Sequence, residues 1–180
     1  AAECHNQTEN EFDKLSEIVS NIAVKKNKKF QLGISHTNPR ISRERAKRIK
    51  YLKPNGCQIT LPDWWPPTLK ESKNFIMGMQ EVVDDMYMIL YNPPHAKVLL
   101  SLDEILLLTK EAPNLVGIKC AGGDETWYQK RKELFDNFSV FVPGHTVVFG
   151  KPLGANGSYS NVACLSPNGA VMIWELIDND

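Results

Sequence analysis

The chain has 180 residues, with 21 basic and 21 acidic side chains and no net charge at neutral pH. This length supports one well-buried core, so a single domain over residues 1–180 is predicted. The balanced charge argues against nucleic acid or an anionic membrane as the main partner. No apolar stretch approaches the ~20 residues that a membrane span needs.

The four cysteines are far apart in the sequence and form no CxxC pair; they are Cys4, Cys57, Cys120 and Cys164. This spacing suits a reducing compartment and favours buried thiols over metal ligands, so neither a metal nor another cofactor is expected. The N-terminal residues show no basic segment followed by an apolar one, so no signal peptide is expected. A cytoplasmic protein is therefore predicted.

Short apolar segments alternate with amphipathic ones at roughly 25–30 residues per unit, the size of a β/α repeat. Continuous apolar strands between helices are typical of a parallel sheet that is covered on its faces. Six strands are predicted, over Phe30–Ser35, Cys57–Leu61, Met86–Tyr91, Leu115–Lys119, Ser139–Val142 and Gly154–Tyr159.

The helices between these strands carry apolar stripes and capping residues. Two stripes are predicted to face the core: Phe12, Leu15, Ile18, Val19 and Ile22 in the first helix, and Phe75, Ile76, Met79, Val82 and Val83 in a later one. Capping residues predict three helix starts: Ser42 before Arg43–Leu52, Thr68 before about Leu69–Asp84, and Ser101 with Glu104 before Ile105–Thr109.

The predicted elements fit either an open doubly wound sheet or a closed (β/α)8 barrel. No GxGxxG or GxxxxGK[ST] motif follows the first strand, which weakens the nucleotide-binding open sheet. Chemically active side chains instead stand at or just past the C-terminal ends of successive strands; they are His36, Trp64, Tyr91, Lys119, His145 and Ser158. That distribution predicts the catalytic face of a barrel, and we predict an α/β fold of the TIM-barrel type.

The number of units is smaller than a complete barrel requires. About six β/α units are visible, whereas a complete barrel usually needs ~250 residues. The chain also opens at Ala1-Ala2-Glu3 as though it began just after a strand. We therefore expect an incomplete barrel that lacks its N-terminal units. Because an open sheet leaves two strand edges unpaired, we expect these 180 residues alone to be poorly soluble.

Lys119 is the strongest functional candidate in the sequence. It ends an apolar run and lies 28 residues after Tyr91, which ends another such run. Desolvation disfavours the charged form of a lysine and so yields an amine nucleophile near neutral pH. A tyrosine at the end of a second strand could supply a mobile proton. The pair predicts Schiff-base chemistry on a carbonyl compound; an ordinary lysine that extends to solvent is the alternative.

The segments around these two residues resemble those of a known family. Residues 86–94 and 114–119 resemble the paired YNxP and GIK strand ends of the dihydrodipicolinate synthase / N-acetylneuraminate lyase family of class I, Schiff-base aldolases. Four more segments resemble that family in the same order: residues 3–15, 31–35, 143–145 and 154–161. The resemblance covers essentially the whole chain and implies that the six strands are the third to the eighth of a (β/α)8 barrel.

Membership of this family implies that Lys119 forms a Schiff base with a 2-oxo acid, usually pyruvate, and that Tyr91 relays protons. The implied reaction is aldol cleavage, aldol condensation or dehydration, without a metal, in a homotetramer. The residues implied to line the substrate pocket include Gly144, Ser158 and Tyr159, through nearby backbone groups. Trp64 would make that pocket broader or more apolar if its side chain faces the mouth.

Three departures from the family pattern leave the substrate open. Ala96 stands where the synthases typically have an arginine, and residues 62–67 read PDWWPP where they have a tyrosine pair. Ala1-Ala2-Glu3 alone aligns with the family's carboxylate-binding Thr-Thr-Gly-Glu. Lysine biosynthesis is therefore not predicted. A non-catalytic barrel that binds a small ligand or acts as a scaffold is the alternative, and a sugar-phosphate enzyme is disfavoured because no glycine-rich phosphate loop is evident.

Overall fold

The computed structural model describes residues 4–177, so the predictions that concern Ala1-Ala2-Glu3 lie outside the described residues. The strands are β1 (Gln31–Gly33), β2 (Gly56–Ile59), β3 (Tyr87–Tyr91), β4 (Leu115–Lys119), β5 (Ser139–Pro143) and β6 (Gly157–Tyr159). The helices are α1 (Glu9–Lys25), α2 (Pro39–Ile49), α3 (Leu69–Val83), α4 (Leu102–Glu111), α5 (Glu125–Leu134), α6 (Val147–Leu153), α7 (Val162–Leu165) and α8 (Pro167–Leu176). Over residues 4–177, no helix combines the length and the apolar character needed to cross a bilayer.

The six strands form one parallel sheet in the order β1-β2-β3-β4-β5-β6. A doubly wound sheet would reverse its strand order, whereas a barrel keeps it sequential. The sheet is also curled, as a hydrogen bond between its two outer strands shows: Gln31 on β1 donates to the hydroxyl of Tyr159 on β6. The predicted α/β class with parallel strands is confirmed, and the curled sheet is consistent with part of a TIM barrel. The numbering of these strands as the third to the eighth stays a prediction.

The two faces of the curled sheet differ in polarity. Side chains alternate between faces along each strand, so residues in register share a face. The helix-facing side is apolar and buried; it includes Leu32, Cys57, Met88, Leu90, Ile118 and Val140. The concave side carries most of the polar and aromatic groups; it includes Gln31, Gln58, Tyr91, Lys119, Phe141 and Tyr159. The hydrophobic core therefore lies between the sheet and the helices, and the side chains that could take part in a reaction lie on the concave face.

Two of the three predicted helix starts are confirmed, and the third is wrong. Thr68 and Ser101 both form capping boxes at the first residues of α3 and α4. The helix α2 is capped by Asn38 rather than Ser42, because Pro39 has the fixed φ that suits a first helical position. Ser42 is buried inside α2, where its hydroxyl accepts a hydrogen bond of 2.9 Å from the His36 amide.

The apolar stripe predicted for α1 is confirmed for Phe12 and Val19, which pack in or against the core, and is wrong for its other three residues. The stripe of α3 is buried as predicted. In α1 the side chains of Leu15, Ile18 and Ile22 are 45%, 47% and 58% exposed. The buried face instead carries Phe12 and three small residues, Ser16, Ser20 and Ala23. Small side chains allow a close approach to the neighbouring chain, and the Ser20 hydroxyl donates a hydrogen bond of 3.1 Å to the Leu52 carbonyl.

The last predicted strand is shorter than the sequence suggested. Gly154 does not begin it but ends α6, with a φ of 114° that favours glycine. The strand itself covers Gly157–Tyr159. Residues 154–156, which the prediction placed in the strand, therefore belong to the helix end and the turn that follows it.

Arg45 fixes the N-terminal segment to the end of β1. Its side chain is fully buried, and its guanidinium donates to the carbonyls of Cys4 (2.6 Å), Ser35 (3.0 Å) and Gln7 (3.2 Å). It also pairs with the Glu9 carboxylate at 2.7 Å. A buried cation is stable only when its donors are satisfied, as they are here by a planar fork of hydrogen bonds.

We expect Arg45→Met to lower the free energy of unfolding by about 3–5 kcal/mol, because three carbonyls and one carboxylate lose their donor. The matched control is Arg43→Met, since Arg43 forms an exposed ion pair of 2.7 Å with Glu81. That change should cost less than ~1 kcal/mol. Urea unfolding of both variants checks this; equal, small losses would contradict a structural role for Arg45.

Candidate active site

Lys119 is the last residue of β4 and lies in register with Tyr91 on β3 and Phe141 on β5. Its half-buried side chain lies on the concave face of the sheet. The Nζ atom is 4.1 Å from the centre of the Tyr91 ring and 4.9 Å from the centre of the Tyr159 ring. The structure therefore brings together three of the predicted site residues, from β3, β4 and β6, around one amine.

Burial lowers the pKa of Lys119 below its ordinary value, because the ammonium loses more hydration than the neutral amine does. Among residues 4–177, Lys119 forms no salt bridge that would restore the charged form. The two tyrosine rings oppose the shift in part, since a ring face attracts a cation. The amine is thus neutral more often than that of a solvated lysine.

Tyr91 connects this amine to a cavity of about 250 Å³. Its ring face contacts Nζ, and the same residue forms part of the cavity wall. Other residues of the wall include Ser35, His36, Thr37, Thr60, Asp63, His95, Ala96 and Lys97. The cavity therefore opens beside the predicted proton relay and is bordered by hydroxyl, imidazole, carboxylate and ammonium groups.

Hydrogen bonds hold the walls of this cavity in place. The buried Asn92 side chain donates to the Val98 carbonyl at 2.8 Å and accepts from the Leu100 amide at 2.9 Å, which closes the loop after β3. The Ser35 hydroxyl accepts from the Thr60 amide at 2.9 Å and so joins the ends of β1 and β2. These bonds therefore fix the backbone on two sides of the cavity.

Tyr159 is held more firmly than the sequence indicated. Its ring packs edge-on against Phe141, with centres 5.3 Å apart and planes at 69°. Gln31 donates a hydrogen bond to its hydroxyl, and the neighbouring Gln58 side chain lowers the pKa of the same hydroxyl. Burial raises the pKa of Tyr159, so the group is a neutral phenol at physiological pH.

Sequence reasoning missed Gln31, Gln58 and Phe141 as residues of this site. A signal was available for the two glutamines: each is a polar residue within a strand that was predicted to be buried. A buried amide needs hydrogen-bond partners, so each implied a polar group on the concave face. The identity of that group, 128 residues away from Gln31, could not be obtained from local pattern.

Gly144 and Ser158 lie apart from the amine. Both line a cavity of about 510 Å³ between β6 and α8, on the helix-facing side of the sheet. The Ser158 hydroxyl is buried there and has no hydrogen-bond partner among residues 4–177. Gly144 permits a close approach of Ser160, whose Oγ would be 2.2 Å from any Cβ at position 144. Their predicted contact with substrate stays a prediction.

Trp64 also lies outside the group around Lys119. It is 82% exposed and lines a separate cleft of about 470 Å³ with Pro66 and Arg40. Its carbonyl accepts a hydrogen bond of 2.6 Å from Lys97. His145 is exposed on the turn after β5. Within the part of the chain that the structure describes, no group of three or more His, Cys, Asp and Glu side chains could hold a metal ion.

Solved structures with the same fold are numerous. The sialic acid aldolase of Ruminococcus gnavus has a TM-score of 0.88 at 18% identity, over 98% of this chain and 59% of its own. A structure described as the catalytic lysine mutant of that aldolase gives 0.87 at 16% identity, over 98% and 58%. The dihydrodipicolinate synthase of Aquifex aeolicus gives 0.86 at 21% identity, over 97% and 60%. The chain thus spans less than two thirds of the length of these proteins.

The comparison with curated proteins gave no match. A sequence profile of the Dihydrodipicolinate synthetase family, in contrast, matches residues 3–180, which is nearly the whole chain. The match includes both strand ends that carry Tyr91 and Lys119. The chain therefore belongs to the dihydrodipicolinate synthetase family.

Proposed function

We propose that this protein is a class I aldolase-type lyase that forms a Schiff base between Lys119 and a 2-oxo acid such as pyruvate. The observation that carries the proposal is the half-buried Lys119 amine, which lies against two tyrosine rings and has a lowered pKa. Family membership and structural neighbours named as aldolases and synthases support the same reaction class. A single partial barrel, a cytoplasmic location and a homotetramer belong to this proposal.

The chemistry begins when the neutral Lys119 amine adds to the keto carbon of the acid. A carbon–nitrogen bond forms, and the ketone oxygen becomes a hydroxyl. Once protonated, that hydroxyl leaves as water, and a protonated imine with one positive charge remains. The imine then accepts the electron pair of a C–H or C–C bond on the carbon next to the imine carbon, and it becomes an enamine. In this step a C–H or C–C bond can break or form.

Tyr91 would relay protons during these steps. Its hydroxyl belongs to a residue that both contacts the amine and borders the 250 Å³ cavity. The remainder of the substrate would occupy that cavity. Because Ala96 stands in this wall at the position where the synthases of the family typically have an arginine, the proposal does not extend to the reaction of lysine biosynthesis.

A purely binding or scaffold role is not favoured. Ligand binding alone requires neither a desolvated amine nor a phenol ring beside it. In this chain both groups come from the ends of neighbouring strands in register, Tyr91 opposite Lys119. Such a pair is what nucleophilic catalysis on a carbonyl group requires.

Reduction with borohydride in the presence of pyruvate should leave a covalent adduct on Lys119, because the imine is trapped as a stable secondary amine. Peptide mass analysis locates the adduct. Lys119→Arg should abolish it, since the guanidinium is not nucleophilic at neutral pH. Lys110→Arg, on the exposed side of α4, should leave it unchanged. A folded full-length protein that forms no adduct with pyruvate or other 2-oxo acids would defeat the proposal.

The rate of adduct formation should depend on pH through the neutral fraction of Lys119. Below the pKa of the amine the rate should rise about tenfold per pH unit, and above it the rate should level off. Because burial lowers this pKa, the midpoint should lie below the ordinary lysine value of 10.5. Rapid quenching with borohydride across a pH series measures it. A midpoint at or above the ordinary value would rule out an activated amine.

Tyr91→Phe should separate imine formation from proton transfer, because it keeps the ring over the amine and removes the hydroxyl. The adduct should still form, whereas exchange of the pyruvate methyl protons with deuterated water should slow by roughly 10²–10⁴-fold. NMR follows that exchange without a second substrate. The control is Tyr87→Phe, at the exposed start of β3, which should change neither rate. Equal rates of exchange in Tyr91→Phe and the unaltered protein would exclude the relay.

A further inference from the structure

We propose that Tyr159 is a further residue of this site, whose ring face stabilises the positive charge on the Lys119 nitrogen and thereby favours the iminium. This inference rests on the proposed Schiff-base function. It assigns Tyr159 a role for its aromatic side chain, whereas the family resemblance implied a contribution from nearby backbone groups. The contact between the ring and Nζ, at 4.9 Å from the ring centre, is the starting observation.

The ring of Tyr159 is fixed at both ends. Gln31 on β1 donates a hydrogen bond to its hydroxyl, and the buried Gln58 on β2 is close enough to lower the pKa of that hydroxyl. Its body packs edge-on against Phe141. Gly157 makes this packing possible, since a Cβ there would lie 2.8 Å from two atoms of the Phe141 ring. Four strands therefore cooperate to hold one ring in one orientation.

This fixed ring lies beside a nitrogen that gains a permanent charge during the reaction. The amine that attacks is in its neutral form, whereas the protonated imine made from it carries one positive charge. The interactions described for Nζ among residues 4–177 are with the faces of Tyr91 and Tyr159. A cation at this distance from a desolvated aromatic face is stabilised by a factor on the order of threefold to thirtyfold in an equilibrium constant. The imine should benefit by this factor relative to the neutral amine.

The proton-relay role of Tyr91 does not extend to Tyr159. The Gln31 amide donates to the Tyr159 hydroxyl, and burial keeps the phenol neutral. The hydroxyl is thus occupied as an anchor, while the ring face remains directed at the amine. We therefore assign charge stabilisation to the ring and orientation to the hydroxyl.

The test varies the electron density of the ring at nearly constant shape. Tyr159 is replaced in the full-length protein by phenylalanine and by its mono-, di- and trifluorinated analogues, and the equilibrium constant for the imine with pyruvate is measured. Each added fluorine weakens the negative face of a ring, so the constant should fall stepwise through the series. The expected span is on the order of threefold to thirtyfold. Tyr159→Leu, which keeps the bulk and loses the ring, should lie near the lowest member.

The same fluorinated series at Phe138 is the matched control, because that buried ring stacks on Phe135 and has no contact with Nζ among the described interactions. The imine constant should stay level across it. Thermal unfolding of every variant shows that the fold is kept. A constant that is independent of fluorination at position 159 overturns the inference and leaves the Schiff-base proposal intact. Absence of any imine in the unaltered protein overturns the Schiff-base proposal instead.

Discussion

Two opposing effects act on the Lys119 nitrogen, and the proposed chemistry depends on their balance. Loss of water favours the neutral amine and lowers the pKa of the half-buried side chain. The tyrosine rings at 4.1 and 4.9 Å favour the cation. One pKa unit corresponds to about 1.4 kcal/mol, and a ring face contributes roughly 0.5–2 kcal/mol to a cation. The rings can therefore offset part of the shift. A nucleophile of this kind must be neutral before attack and cationic afterwards. Loss of water favours the neutral amine, and the tyrosine rings favour the cation.

The curled sheet is what brings the participating residues to one place. Tyr91 and Lys119 are neighbours because β3 and β4 are in register at their last residues. Tyr159, in contrast, reaches the amine from β6, and its hydroxyl reaches Gln31 on β1, so the two outer strands meet across the concave face. A flat sheet of six strands would hold β1 and β6 more than 20 Å apart at a spacing of about 4.8 Å per strand. The curvature of the sheet thus brings Gln31 on β1 and Tyr159 on β6 into the same site. Arg45 supports the rim of this site by fixing the segment before α1 to the end of β1.

The sequence allowed the strands, two helix starts and the pair of Tyr91 and Lys119 to be predicted, because each is encoded by residues that are close in the chain. It did not reveal the buried face of α1, where packing favoured small side chains over the more apolar stripe of Leu15 and Ile18. It also did not reveal the bond between Gln31 and Tyr159, because that contact exists only after the sheet has curled. Local pattern reports propensity and periodicity, whereas the electrostatics of this site arise from strands that are remote in sequence.

The alternation of side chains along β6 determines how this strand can take part in the reaction. Tyr159 projects toward Lys119, and Ser158, one residue earlier, lines the cavity against α8. Strand geometry forbids both side chains from facing the same space. A contribution of Ser158 to a substrate near the amine would therefore have to come from its backbone, as the family resemblance implied. Tyr159 is the residue through which β6 offers a side chain to the amine. Together with Gln31 and Gln58, Tyr159 gives the concave face of this sheet a polar character, where a barrel core is usually filled with branched apolar residues.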